Sequence, residues 1–265
     1  MGTVGKAITL LEAFDVERAE LGLTELAKLV GFDKATTRRL LLSLAHHGLI
    51  EQDDITRLYR LGPAVVRFAR IREVHFPFLE SAKPIVVALA GDTGETAHLS
   101  EYDSNFMTSI FVEESTRANR VSVSTGDRLP LHATASGLAF LAFTKREFVD
   151  TYIGRGLEPS TPFTLTDPTL LREALAATRQ RGYSVSNQGR AEDVFSVAAP
   201  IMDATGHPIG ALAVAMPLVR ATESVIQAHG TAVRHAAQQI SARLNGRHLR
   251  SALQSSAKVK EPAYE

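Results

Sequence analysis

Leu23-Thr24-Glu25-Leu26-Ala27-Lys28-Leu29-Val30-Gly31-Phe32-Asp33-Lys34-Ala35-Thr36-Thr37-Arg38-Arg39-Leu40-Leu41 decides the fold of the first part of this chain. Thr24 is suited to cap a helix, and Glu25 favours the positive end of its dipole. Leu26, Leu29 and Val30 then fall on one face at helical spacing. Gly31 ends the helix, since the tight turn needs a residue that tolerates positive φ. Phe32 fills the turn and Asp33 caps a second, longer helix. That helix runs from Lys34 to about His47, burying Leu40, Leu41 and Leu44, and Gly48 stops it. A short helix, a glycine turn and a longer helix form a helix-turn-helix.

Upstream, Val4, Ala7, Ile8, Leu11 and Phe14 share one helical face over Val4–Phe14. Downstream, Leu49-Ile50-Glu51 and Leu58-Tyr59-Arg60-Leu61 read as two short strands around a polar loop, a wing. The first turn of the longer helix would expose Lys34, Ala35, Thr36, Thr37 and Arg38. Such residues read base edges and phosphates at the DNA-contacting end of a recognition helix. Arginines 57, 60, 67, 70 and 72 occur over 57–72 with no acid between them. A run of charge is often only a solvated face. Beside a wing and a helix-turn-helix, it reads as phosphate contact.

The whole chain sets limits. It has 265 residues, 45% hydrophobic and 22% charged, which excludes a disordered or fibrous chain. Lys and Arg total 29, as do Asp and Glu, so any nucleic-acid surface must be local. Cysteine is absent, which removes disulfides, thiolate ligands and thiol nucleophiles and suits the cytoplasm. No apolar run approaches the roughly 20 residues of a spanning helix, so no membrane association is expected. The start of the chain, with Glu12 and Asp15, does not read as a signal peptide.

Pro63 suits the first turn of a helix, and the apolar and basic segment after it reads as a linker over 63–82, broken near Pro77. Strands are expected at Thr96–Tyr102, Phe106–Glu113, Arg120–Ser124, Tyr183–Asn187, Val194–Met202 and His207–Met216. Helices are expected at about Phe78–Ala90, Ala135–Phe143, Lys145–Ile153, Pro168–Gly182 and Thr222–Asn245. Strands and helices segregated in this way indicate an α+β domain with an antiparallel sheet over 83–250. Residues 1–62 form the winged domain in this reading, and 251–265 a mobile tail.

The motifs resemble those of the IclR family of transcriptional regulators. They are Gly22-Leu23-Thr24-Glu25-Leu26-Ala27, Gly31-Phe32-Asp33-Lys34-Ala35-Thr36, Arg39-Leu40-Leu41, His47-Gly48-Leu49 and Tyr59-Arg60-Leu61-Gly62. In the second half come Thr93-Gly94-Glu95-Thr96, Pro130 to Gly137, Thr164 to Pro168, Arg181-Gly182-Tyr183 and Val197-Ala198-Ala199-Pro200. The resemblance spans about 4–245. It implies a winged helix-turn-helix joined by a linker helix to a GAF-like effector-binding domain, in a homodimer or a homotetramer built as a dimer of dimers. The implied partners are a double-stranded DNA operator and a small organic effector, with no cofactor. The DNA-contacting residues it implies are Thr24, Lys34, Ala35, Thr36, Thr37, Arg38, Arg39, Arg57, Tyr59 and Arg60. Asp53 and Asp54 at the wing depart from the pattern, as does Ala35, where the family often has serine.

The resemblance also implies effector contacts at Leu129, Ala135, Ser136, Ser186, Val194, Ser196, Ala213 and Ala215. Ala211, Ala213 and Ala215 form one face of a strand, and such a row leaves room for either a closely packed helix or a ligand. The N–H groups opening the helix at Ala135 can hold an anion. The ligand expected has an apolar body, aromatic among the options, and one polar or carboxylate end. His132 reads as a satisfied structural histidine. The alternatives are a small-molecule hydrolase and a non-DNA interaction module. No G-x-S-x-G, H-E-x-x-H, Walker loop or dinucleotide fingerprint is present, so neither catalytic nor metal-ligating residues are expected.

Overall fold

The computed structural model describes residues 1–15 and 17–258, with side chains through residue 246. The chain divides into two compact units that meet at Pro77 and Phe78.

The first unit holds α1 (Thr3–Leu11), α2 (Leu23–Val30), α3 (Lys34–His46), the hairpin β1 (Ile50–Gln52) and β2 (Tyr59–Leu61), and α4 (Pro63–His75). Gly31 closes α2 in the left-handed conformation at φ 70°. The Asp33 carboxylate accepts the Thr36 N–H at 2.8 Å and caps α3. That bond holds the Asp33 carboxyl below its ordinary pKa. Thr24 does not cap α2: the helix begins two residues earlier than expected, with Gly22 at the cap position and Thr24 exposed in the first turn. Leu10, Leu21, Leu26, Leu40, Leu41, Leu44, Ile50 and Tyr59 form the core. Gly62 ties wing to α4 by close approach, because a Cβ there would stand 2.3 Å from the Gly48 carbonyl oxygen.

The expected 63–82 linker is not one element. Pro63 starts α4 as anticipated, but Pro77 ends the first unit, and the next helix, α5 (Phe78–Thr93), packs into the second unit from Phe78 onward. Phe78, Ala82, Ile85, Val86 and Leu89 are all buried.

The second unit is built on a six-stranded antiparallel sheet in the order β5-β4-β3-β8-β7-β6. Its strands are β3 (Thr96–Asp103), β4 (Phe106–Glu113), β5 (Arg128–Pro130), β6 (Ser184–Asn187), β7 (Val194–Met202) and β8 (Pro208–Pro217). The remaining helices are α6 (Ala135–Phe143), α7 (Arg146–Ile153), α8 (Pro168–Arg181) and α9 (Glu223–Lys258). Side chains alternate between the two faces of a strand. Leu99, Leu212, Val214 and Val197 lie on one face, packed under α5 and α9. Thr96, His98, Ser100, Ala211, Ala213 and Ala215 lie on the other, which α6 partly covers. Asp167 caps α8 through the N–H groups of Thr169 and Leu170, and Pro168 takes the first helical position. The first part of the expected tail over 251–265 is helical, since α9 continues to Lys258, and the rest, residues 259–265, lies outside the described residues.

The expected strand at Arg120–Ser124 is not formed. The place beside β4 is taken by Arg128–Pro130, which pairs Phe106↔Pro130 through Thr108↔Arg128. Residues 120–124 are left as a tether without a strand partner. They are held by the Thr96 hydroxyl on the Val121 carbonyl at 2.6 Å and the Ser122 hydroxyl on Glu114 at 2.8 Å.

Candidate functional site

In the first unit, the start of α3 presents Lys34, Ala35, Arg38 and Arg39 to solvent, with Thr36 half-buried. Lys34, Arg38, Arg39 and the exposed Arg57 carry no ion pair among the described residues, so their charges are available. Two expected contacts are buried away from solvent, and a third is engaged in ion pairs. Thr37 is fully buried, and its hydroxyl donates to the Asp33 carbonyl at 2.9 Å. Tyr59 is 5% exposed and belongs to the core. Arg60 stays exposed but is paired with Glu51 at 2.6 Å and Glu20 at 3.2 Å. At the wing, Asp53 accepts the N–H groups of Ile55 and Thr56, so its charge is spent on shaping the turn.

In the second unit, a cavity of about 290 Å³ lies over the small-residue face of the sheet. Ala213, Ala215 and Ser196 floor it. The first turn of α6, at Ala135 and Ser136, lines it, as do Leu129, Ser186 and Val194. All eight positions expected to contact an effector therefore come together around one cavity. The alanine row serves two purposes. Ala211 and Ala213 belong to the core packed with α6, while Ala213 and Ala215 face the cavity. The segment leading into α6 folds tightly onto the helix because Gly137 lacks a side chain: a Cβ there would stand 2.3 Å from Leu131 Cα. Thr134 caps α6 through the Gly137 N–H at 3.1 Å.

Two loops complete the walls. Val121, Ser122 and Val123 come from the tether after β4, and Gly189, Arg190 and Ala191 from the β6–β7 loop. The first loop is anchored by Glu95, a buried carboxylate that receives two hydrogen bonds from Arg220 at 2.6 and 2.7 Å and one from Arg117 at 2.8 Å. Arg220 also donates to the Asn119 carbonyl at 2.9 Å. The second loop turns through two left-handed non-glycine residues, Gln188 at φ 58° and Asp193 at φ 59°.

His98 and Asp127 also line the cavity, and sequence reasoning missed both. The signal for His98 was the alternation Thr96, His98, Ser100, but only the register His98↔Ala213 sets it beside the alanine row. Burial strips its solvation and lowers its pKa from 6.5 to about 4, so the imidazole is neutral at pH 7. Its Nδ1 has no hydrogen-bond partner, and Nε2 stands 3.4 Å from the Ser136 hydroxyl.

His132 is a satisfied structural residue, between the Tyr152 hydroxyl at 2.7 Å and the Glu158 carbonyl at 2.9 Å. The Ser136 and His98 pair does not amount to a nucleophile and base. No carboxylate orients Nδ1, and a base that protonates near pH 4 is a weak proton acceptor. Among the described residues, no His, Asp and Glu group is placed to hold a metal, and no helix is long and apolar enough to cross a membrane.

Two family models match the chain: "IclR helix-turn-helix domain" over residues 3–54 and "Bacterial transcriptional regulator IclR C-terminal" over 74–242. The transcriptional regulator BhcR of Paracoccus denitrificans is 31% identical over 237 residues, covering 89% of this chain and 85% of its own. The crystal structure of an IclR-type regulator from Silicibacter superposes with a TM-score of 0.84 at 39% identity, covering 92% of this chain and 96% of that one. A Microbacterium hydrocarbonoxydans homologue crystallised with 4-hydroxybenzoate has the same fold, with a TM-score of 0.80 at 24% identity over 92% of this chain and 100% of that one. The matched relatives are described as transcriptional regulators, not enzymes.

Proposed function

The chain belongs to the IclR family of bacterial transcriptional regulators, and from that premise we propose that it is a homodimer controlling transcription from a two-fold symmetric DNA operator. α3 reads the operator, and a small organic carboxylate in the cavity of the second unit alters the hold on DNA. The place of action is the cytoplasm, where the operator lies.

The observation that carries this reading is the convergence of all eight expected effector positions on a single cavity. At about 290 Å³ it is at the small end of ligand pockets, roughly 300–1,000 Å³. It suits a compact molecule, with an apolar body over Ala213 and Ala215 and one anionic end. The Microbacterium homologue's ligand, 4-hydroxybenzoate, belongs to that class. On the DNA side, Lys34, Arg38, Arg39 and Arg57 are the contacts favoured by exposure and free charge.

Self-association is supported by the apolar surface of the first unit. Val4 and Ile8 on α1, and Val66, Phe68, Ile71 and Val74 on α4, are between 48% and 77% exposed. A second copy is the occupant that fits, since one reading head makes few base contacts and a two-fold dimer matches two half-sites. A tetramer would pair two such dimers through the second units.

Two measurements test the proposal. Duplexes selected from random DNA by the purified protein should share an inverted repeat, and binding to it should fall steeply with salt. Light scattering at micromolar protein should give at least twice the 28.7 kDa chain mass. Selection without a common sequence, or a monomer alone, overturns it.

A further inference from the structure

We infer that His98 reads a hydroxyl group on the effector, so that the cavity takes a hydroxylated carboxylic acid rather than a plain one. This rests on reading the cavity as the effector site.

The argument starts from atoms left without partners. His98 is 5% exposed, its Nδ1 meets no hydrogen-bond partner, and the 3.4 Å from Nε2 to the Ser136 hydroxyl is a long, weak contact. On the same sheet face, the hydroxyls of Ser100 and Ser109, which are register partners on β3 and β4, are also buried and unpartnered. Buried polar groups are nearly always hydrogen-bonded, and each exception calls for an explanation. A cavity against one of them supplies it: the missing partner arrives with the ligand.

The kind of partner follows from charge. A neutral imidazole offers one donor and one acceptor but no charge, so it suits a hydroxyl, which can both donate and accept, better than a carboxylate, which can only accept. Asp127 lines the same side of the cavity and repels an anion there. Both features fit an uncharged group that can donate and accept, which a hydroxyl does. The carboxylate goes to the opposite side. There the guanidinium of Arg190, on the β6–β7 loop, has no ion pair or hydrogen bond among the described residues. That loop sits close over the cavity: a Cβ on Gly189 would stand 2.5 Å from the Ala133 carbonyl oxygen.

Between β3, which carries His98, and β6, which leads into Arg190, lie β8 and β7. That is three strand spacings, about 14 Å at the backbone. Both residues line the cavity, and the floor between them is Ala213, Ala215 and Ser196. A ligand with its two polar groups on opposite ends of a small apolar ring spans that gap.

The test uses the full-length protein and matched acids: benzoate, 3- and 4-hydroxybenzoate, cyclohexanecarboxylate and 4-hydroxycyclohexanecarboxylate. Calorimetry should show at least one hydroxylated acid binding about tenfold or more tighter than its deoxy partner. His98→Leu should abolish that preference and leave the deoxy acid within about threefold. His98→Asn, which keeps a donor and an acceptor, should restore part of it. Arg190→Gln should weaken both members of a pair alike. In nitrogen NMR, the His98 ring signals should move when the hydroxylated acid binds. Equal affinity within every pair, a preference that survives His98→Leu, or no binding by any acid overturns the inference. Failure here can be told from failure of the cavity reading with Ala215→Leu. If that variant blocks the acids while His98→Leu changes nothing, the cavity stands and the role of His98 falls. If it leaves binding untouched, both fall.

Discussion

Acidification should destabilise the second unit through His98, and the size follows from its burial. In the unfolded chain a histidine protonates near 6.5, whereas the folded His98 does so only near pH 4. Between those values the unfolded chain binds more protons than the folded one, so lowering the pH favours unfolding. The contribution is fully present above about pH 6.5, is lost as pH falls toward 4, and changes no further below that. The gap of two and a half pKa units corresponds to about 3 kcal/mol in total, of which roughly 2 kcal/mol is lost by pH 5. His132 and His229 also have pKa values lowered mainly by burial and push the same way, so the wild-type curve alone does not isolate His98. The comparison with His98→Leu does. Leucine cannot titrate, is close in size, and removes the unpartnered Nδ1, so the variant should be no less stable at pH 7.5. Urea unfolding of both proteins at one fixed concentration, from pH 7.5 to 4.5, gives the difference directly. The variant's advantage should widen by about 2 kcal/mol at pH 5. A difference that stays flat within about 0.5 kcal/mol would mean that His98 titrates alike folded and unfolded, and would refute the reasoning about its burial.

Three further outcomes are expected. Ala211→Leu, in the core under α6, should cost about 1–3 kcal/mol by overpacking, whereas Ala215→Leu, facing the cavity, should change stability little and abolish ligand binding; equal thermal shifts for the two would return the whole row to ordinary packing. Arg38→Ala should cost about 1–3 kcal/mol on the selected operator and relax its preference at one position, while Arg67→Ala on α4 should act weakly and independently of sequence; equal losses for Arg38→Ala on operator and random DNA would make Arg38 a phosphate contact only. Gly62→Ala must push the backbone of Gly48, so it should lower the melting temperature of the first unit and weaken all DNA binding, and a wild-type melting curve would contradict the close approach.

Local chemistry settled much of this protein before any long-range contact was known. The left-handed stop at Gly31, the Asp33 cap on α3, the proline start of α4 and the Asp167 cap on α8 each depend on atoms within about four residues, and the sequence carries them all. The same is true of the alternation on β8, which separates an alanine face from Leu212, Val214 and Met216. The motif resemblance added the positions that surround the cavity, which no local pattern supplies. What the sequence left open depends on partners distant along the chain. Tyr59 and Thr37 look like contact residues in a basic motif, yet the packing of the hairpin and α3 buries them, and Glu20, 40 residues away, claims Arg60. Residues 120–124 look like a strand, but pairing needs a free edge, and Arg128–Pro130 occupies the one beside β4. His98 is one histidine among nine until the β3–β8 register sets it beside Ala213, under α6 and away from water. Register and burial come from the sum of many distant contacts, so the size of the cavity and the neutral imidazole beside it were decided only by the tertiary structure.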